Sequence, residues 1–163
     1  MDAPTLTEKV RDAMRRTASG VAVLATDGPG GLAGLTVSTL CSLSLEPPSV
    51  IACVHADSRS IQPVLANAAF SASILAEGQE EIAAVFAGLT PGHPGERFAA
   101  GRWTKLDGLP RLEGAVASFA CRLADHHRFG THIILIGEIF DVAATDNAPL
   151  IYADRTFRSL SAA

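Results

Sequence analysis

The chain has 163 residues, 48% of them apolar, and a formal net charge of -4. That length and apolar content suit a single domain, residues 1–163, with a core that needs no disulfide staples and is far from a disordered composition. Without a basic run the chain lacks the footprint of a nucleic-acid surface, though a small anion pocket remains open to it; no signal-peptide pattern and no apolar run of roughly 18 residues is visible, and Cys41, Cys53 and Cys121, odd in number and with no CxxC pair, point to a reducing cytoplasm.

Residues 5–18 read as a helix: Thr5 and Glu8 have capping-box spacing, Leu6, Val10 and Met14 share one face, and Gly20 stands beyond as a stop. Residues 21–26 are apolar and β-prone, and Asp27-Gly28-Pro29-Gly30-Gly31 breaks the chain as a hairpin turn does. Residues 32–45 are expected to return as one long strand, ended by Glu46-Pro47-Pro48 because proline has no N–H for a central ladder. A further apolar strand covers 49–55. The polar turn Asp57-Ser58-Arg59-Ser60 then leads into a short helix over 61–68, with Ser60 as N-cap and Pro63 tolerated in the first turn.

A strand over 70–75 and a helix over 77–87 follow, the helix placing Ile82, Val85 and Phe86 on one face. Residues 89–112 are rich in Gly and Pro and read mostly as loop. Strands are expected over 116–123, 132–142 and 149–152, with Ile133-Ile134-Leu135-Ile136 buried on both faces. About six strands, several following one another without a helix between, and three short helices predict a β-rich α+β fold, an antiparallel sheet or barrel with helices at its ends.

Four sets of residues invite a chemical reading. Gly28-Pro29-Gly30-Gly31-Leu32-Ala33 fits a relaxed dinucleotide-binding pattern, but a strand-like Leu-Thr-Val-Ser-Thr-Leu follows where that pattern requires a helix, so a hairpin turn is the better account. Ser58-Arg59-Ser60 before a helix offers two hydroxyls and a guanidinium to one phosphate, although spacing alone favours simple capping by Ser60 with Arg59 in solvent. On one strand, Thr36, Ser38, Leu40, Ser42 and Ser44 would point the same way, a hydroxyl strip suited to the polar edge of a flavin or, more commonly, to water. The histidines, His126, His127 and His132 among them, have no cysteine or carboxylate at metal-site spacing, and no G-x-S-x-G elbow supports a hydrolase.

The order of the segments carries more than any one of them. Met14-Arg15-Arg16-Thr17-Ala18-Ser19-Gly20-Val21-Ala22-Val23 comes first, followed by Gly34-Leu35-Thr36-Val37-Ser38-Thr39 and Ser42-Leu43-Ser44-Leu45-Glu46-Pro47-Pro48. Ser58-Arg59-Ser60, Leu75-Ala76-Glu77-Gly78-Gln79, Phe86-Ala87-Gly88 and Arg97-Phe98 come next. Gly108-Leu109-Pro110, Leu112-Glu113-Gly114-Ala115, Gly130-Thr131-His132, Ile136-Gly137-Glu138-Ile139 and Pro149-Leu150-Ile151-Tyr152 complete the series. Over about residues 11–160 this resembles the short-chain flavin reductase family, the reductase components of two-component flavin-dependent monooxygenases.

The resemblance implies an FMN-binding split β-barrel of Greek-key type, usually homodimeric with flavin at or near the subunit interface. By position, Thr36, Ser38, Thr39, Leu40 and Cys41 would line the isoalloxazine, while Cys53, Ser58, Arg59 and Ser60 would hold the ribityl phosphate. Phe98 and Tyr152 would cover the site, and His132 would be the catalytic residue facing the nicotinamide. The implied activity is hydride transfer from NADH or NADPH to FMN or FAD, with backbone N–H groups near Cys41 answering charge on the reduced ring. Reduced flavin would then pass by diffusion to a monooxygenase; no nucleic acid, membrane or metal enters. Thr131 stands where the family usually has Asp, Ser118 where many members have a large aromatic, and Ala120 where an acidic residue is common. Losing that Asp removes a charge that would orient His132. Two other readings share the fold: a flavin-binding sensor or carrier without turnover, and a flavoenzyme acting on its own organic substrate.

Overall fold

The computed structural model describes residues 3–89 and 93–160. Helix α1 (Leu6–Met14) begins as its sequence dictates: the Glu8 N–H donates to the Thr5 hydroxyl at 3.3 Å, and the Thr5 N–H donates to the Glu8 carboxylate at 2.7 Å. These bonds to Thr5 hold the Glu8 carboxyl below its ordinary pKa. The helix stops at Met14, short of the expected residue 18, and buries no side chain.

The chain continues through β1 (Ser19–Gly20), β2 (Ala22–Thr26), β3 (Ala33–Val37), β4 (Cys41–Leu45), β5 (Pro48–His55), α2 (Ile61–Asn67), β6 (Ala69–Ile74) and α3 (Glu80–Phe86). A 3-10 turn at Glu96–Ala99 precedes β7 (Trp103–Leu106), β8 (Leu109–Leu112), β9 (Ala117–Phe129), β10 (His132–Ala144), β11 (Ile151–Ala153) and β12 (Thr156–Arg158). The principal sheet has seven strands in the order β3-β2-β6-β9-β10-β5-β4, antiparallel at every pairing. Its two flanks are drawn together where Thr39, just past β3, meets Cys53 of β5. The Thr39 hydroxyl accepts from the Cys53 N–H and donates to the Cys53 carbonyl, both at 3.0 Å. The sheet therefore curls into the partly opened antiparallel barrel that the resemblance implies.

The two larger of three apolar clusters among the described residues do most to hold it. Leu24, Leu35, Val54, Val64, Phe70 and Leu135 fill the inside of the curl, and Leu75, Phe86, Leu112 and Leu150 join the sheet to α3 and the β7–β8 hairpin. Gly34 has a specific reason: a Cβ there would lie 2.6 Å from the Phe86 ring, so only a bare Cα lets α3 close on β3.

Further expectations change. The single strand over 32–45 is two strands, β3 and β4, on opposite edges of the sheet, with Ser38, Thr39 and Leu40 carrying the crossing. The hydroxyl strip is divided with it, since Thr36 lies on β3 while Ser42 and Ser44 lie on β4. The loop over 89–112 contains the hairpin β7–β8, closed by Asp107 and Gly108 at φ 46° and 87° with Leu106 opposite Leu109. The run 133–136 alternates, Ile133 and Leu135 being buried and Ile134 and Ile136 half-buried, as on a strand with two unequal faces.

Candidate functional site

A cleft of about 720 Å³ opens where the flanks of the sheet part. One wall is the end of β3 and its continuation, Thr36 to Thr39, and the other is the end of β5, Cys53 to His55, with His132 at the start of β10. The turn Asp57-Ser58-Arg59 closes one end, and Phe86, Ala87, Gly88 and Arg97 form the floor against α3. The Thr36 hydroxyl donates to the Ala83 carbonyl at 2.7 Å, which ties the β3 wall to α3.

Of the residues expected at the site, Thr36, Ser38, Thr39, Cys53, Ser58, Arg59 and His132 line this cleft together. The others lie elsewhere. Leu40 is half-buried against the barrel core, and Cys41 is exposed on β4, paired with Ile51; neither is among the residues that line this cleft. Ser60 is fully buried and its hydroxyl donates to the Gly34 carbonyl at 2.8 Å; it makes no side-chain cap for α2. The α2 entrance is also satisfied internally: the Ser60 N–H donates to the Ser58 hydroxyl at 3.3 Å and the Ile61 N–H to the Ser58 carbonyl at 3.1 Å. With these two amides engaged, an anion here would meet chiefly the Ser58 and Arg59 side chains.

Phe98 packs edge-on against Phe86 and Trp103, with ring centroids 5.1 and 4.7 Å away, and supports the floor from beneath. Tyr152 lines a neighbouring hollow of about 340 Å³ together with Phe157, 5.4 Å from it. Thr36, Val37, Ser38 and Ala87 border both spaces, so Tyr152 stands on the far side of a shared wall.

The structure adds His55, Asp57 and Arg97. His55 lies opposite His132 in the β5–β10 register, and their rings meet edge to face at 5.1 Å and 69°. The Asp57 N–H donates to His55 Nδ1 at 3.2 Å, and the Asp57 carboxylate stands 3.9 Å from the same nitrogen. His132 Nδ1 is 2.9 Å from the Thr131 hydroxyl, leaving Nε2 as its only nitrogen free for a ligand. Thr131 thus holds the imidazole by a hydrogen bond without the charge an aspartate would bring. Burial, and then the neighbouring Arg59 charge, lower the pKa of the Arg97 guanidinium, and its Nε is buried without a partner among the described residues. The sequence signal for His55 was weak, a histidine ending an apolar strand, and Arg97 carried no pattern beyond its place beside Phe98.

A cleft of this volume, with hydroxyls on one wall, two guanidinium groups at its floor and end, and imidazoles on the other wall, fits a flat heteroaromatic ring with a phosphorylated tail. Among the described residues no group of three His, Cys, Asp or Glu could hold a metal ion.

A family model described as "Flavin reductase like domain" matches residues 14–161. FMN reductase (NADH) RutF of Methylorubrum populi is 41% identical over 152 residues, covering 92% of this chain and 74% of that protein. The solved NADH:FAD oxidoreductase SgcE6 of Streptomyces globisporus superposes with a TM-score of 0.88 at 28% identity, covering 99% of this chain and 98% of that one. The styrene monooxygenase flavin reductase of Pseudomonas putida superposes with a TM-score of 0.82 at 26% identity, covering 94% and 97%.

Proposed function

Because the chain belongs to the flavin reductase family, as a match to the family model over 14–161 and a relative 41% identical show, we propose that it is an NADH:flavin oxidoreductase reducing FMN. Residues 1–163 would form one such domain. The observation that carries this reading is the convergence of the 36–39 wall, the Ser58-Arg59 turn and His132 on one cleft.

Bound flavin supplies the hydride acceptor, and reduced nicotinamide supplies the hydride. The chain's own part is to bind and orient. Ser58 and Arg59 take the flavin phosphate, an assignment supported by an Arg59 charge that forms no ion pair among the described residues. Thr36, Ser38 and Thr39 face the ring edge from a wall fixed to α3 through Thr36 and to β5 through Thr39. His132, its Nδ1 engaged by Thr131, offers Nε2 to the nicotinamide amide. No proton need be moved by the protein in the hydride step, so positioning is the main contribution.

Product flavin would pass to a monooxygenase partner, as the likeness to a styrene monooxygenase reductase suggests. Exposed Leu43, Leu45, Phe129, Phe140 and Val142 support a homodimer, since apolar side chains on an edge strand and a long hairpin gain from being covered. The free state of all three cysteines supports a reducing compartment, the cytoplasm. No helix among the described residues is long and apolar enough to cross a membrane.

The test is anaerobic mixing of FMN-loaded protein with NADH. Rapid bleaching of the flavin absorbance is expected; bound flavin that stays oxidised would instead mark a carrier or sensor. Replacing Ser58 and Arg59 together by alanine should weaken FMN by about a hundredfold, from the loss of two hydrogen bonds to a charged group, and leave riboflavin nearly unchanged. Equal weakening of both ligands would move the phosphate elsewhere.

A further inference from the structure

We propose that Arg97 is a second phosphate-binding guanidinium of the cleft, acting with Arg59 to select phosphorylated flavin over riboflavin. The inference rests on the flavin-binding part of the reading above, not on turnover, and adds a specificity-determining residue to it.

The argument starts from what the Arg97 side chain does and does not touch. Both of its side-chain hydrogen bonds among the described residues leave from Nη1, to the Gly34 carbonyl at 3.0 Å and the Phe86 carbonyl at 3.3 Å. The Nε–Nη2 edge, the one that takes two oxygens of a carboxylate or phosphate at once, has no hydrogen-bond partner among the described residues, and Nε is already buried. Gly88 keeps Nη2 uncovered: at φ 79° it carries no side chain, and a Cβ there would lie 3.1 Å from Nη2. A donor shielded from water and unmatched by protein is a cost to the free chain that an arriving anion would relieve.

Charge points the same way. Arg59 and Arg97 line the same cleft, and neither takes part in an ion pair among the described residues. Asp57, the acidic residue on the cleft wall, stands toward His55. Two cations facing one space repel each other until a dianion enters. A phosphate monoester is such a dianion, and two guanidinium groups suit it better than one.

The competing account makes Arg97 a structural clamp holding β3 to the end of α3, through the two carbonyls it already binds. FMN and riboflavin share the ring and differ in the phosphate, so the ratio of their dissociation constants separates the two accounts. The experiment measures both ligands by fluorescence quenching in the wild type, Arg97→Gln, Arg97→Lys, Arg59→Ala and the Arg59→Ala/Arg97→Gln pair. Arg97→Gln should weaken FMN at least tenfold more than riboflavin. Arg97→Lys, which keeps the charge without the fork, should show a smaller loss of the same kind and keeps the test alive should Arg97→Gln not fold. The double variant should lose less than the product of the single losses, because both groups would serve one phosphate. Inorganic phosphate should raise the melting temperature of the wild type more than that of Arg97→Lys. FMN and riboflavin weakened to the same degree, or losses that simply multiply, would overturn the proposal. The wild-type bleaching by NADH is read separately, so failure of turnover with an intact FMN preference would sink the reductase reading and leave this one standing.

Discussion

Strands β3 and β4 come from adjacent stretches of similar sequence, yet they finish on opposite edges of one sheet and in opposite environments. In β3 four of five residues are buried; in β4 four of five are exposed. β3 is tied to its surroundings by Thr36 on α3 and by Ser60 and Arg97 on the Gly34 carbonyl. β4 has only β5 beside it and ends in Leu45, which is 82% exposed. The crossing between them, Ser38 to Leu40, opens the cleft. The β3 side is therefore the rigid wall against which a ligand can be held, and the β4 side is a free flank whose apolar residues wait for cover.

The largest expected effect tests that contrast. Leu35→Ala empties a buried position of the barrel core and should cost about 2–5 kcal/mol of stability, read by denaturant unfolding. A loss under about 1 kcal/mol would mean the β3 wall can collapse around the gap, and the proposed rigidity would go with it.

The next effect probes the opposite wall. His132→Ala should lower NADH oxidation at saturating flavin about tenfold, the worth of one hydrogen bond, with flavin affinity nearly unchanged. Thr131→Val should give a smaller loss of the same kind, because it frees the ring that the hydroxyl now holds at 2.9 Å. Steady-state rates indifferent to His132 would remove the β10 side from nicotinamide recognition.

How far these features could be read beforehand depends on where the controlling interaction lies. The capping box at Thr5, the turn at Gly28 to Gly31 and the strands near β2, β5 and β6 were legible because local chemistry decides them. The hairpin at Asp107-Gly108 was also written locally, as a two-residue turn favouring positive φ, and was missed inside a Gly- and Pro-rich stretch. The break after Val37 was not legible, since both halves have strand-like composition and only the pairings of β3 with β2 and β4 with β5 separate them. Ser60 shows the same limit at the site. Its position before α2 reads as a cap, but the Gly34 carbonyl, twenty-six positions away, claims its hydroxyl. Leu40 and Cys41 fell outside the cleft for the reason that split the strand, whereas Ser58, Arg59 and His132 reached it from the segments that marked them.

A smaller effect lies at the seam itself. Thr39→Val keeps the shape and removes both bonds to Cys53, and should cost about 0.5–1.5 kcal/mol, or a few degrees in melting temperature. Flavin affinity should fall as well, because Ser38 and Thr39 would lose their fixed distance from the β5 wall. Lost stability with unchanged affinity would mean the seam serves the barrel and not the cleft.

The smallest effect on the single chain is the one that decides what covers the other flank. Leu45→Ala removes a side chain that the protomer leaves in water, so its stability at high dilution should change by no more than about 0.5 kcal/mol. If β4 is where two copies meet, the same change should raise the dimer dissociation constant, measured by sedimentation, because the leucine would be buried only in the assembly. Wild-type protein that sediments as a monomer at all concentrations would refute the dimer. A wild-type dimer indifferent to Leu45→Ala would move the contact to the Phe129 and Val142 faces of the β9–β10 hairpin, and β4 would then be a free edge held only by its pairing with β5.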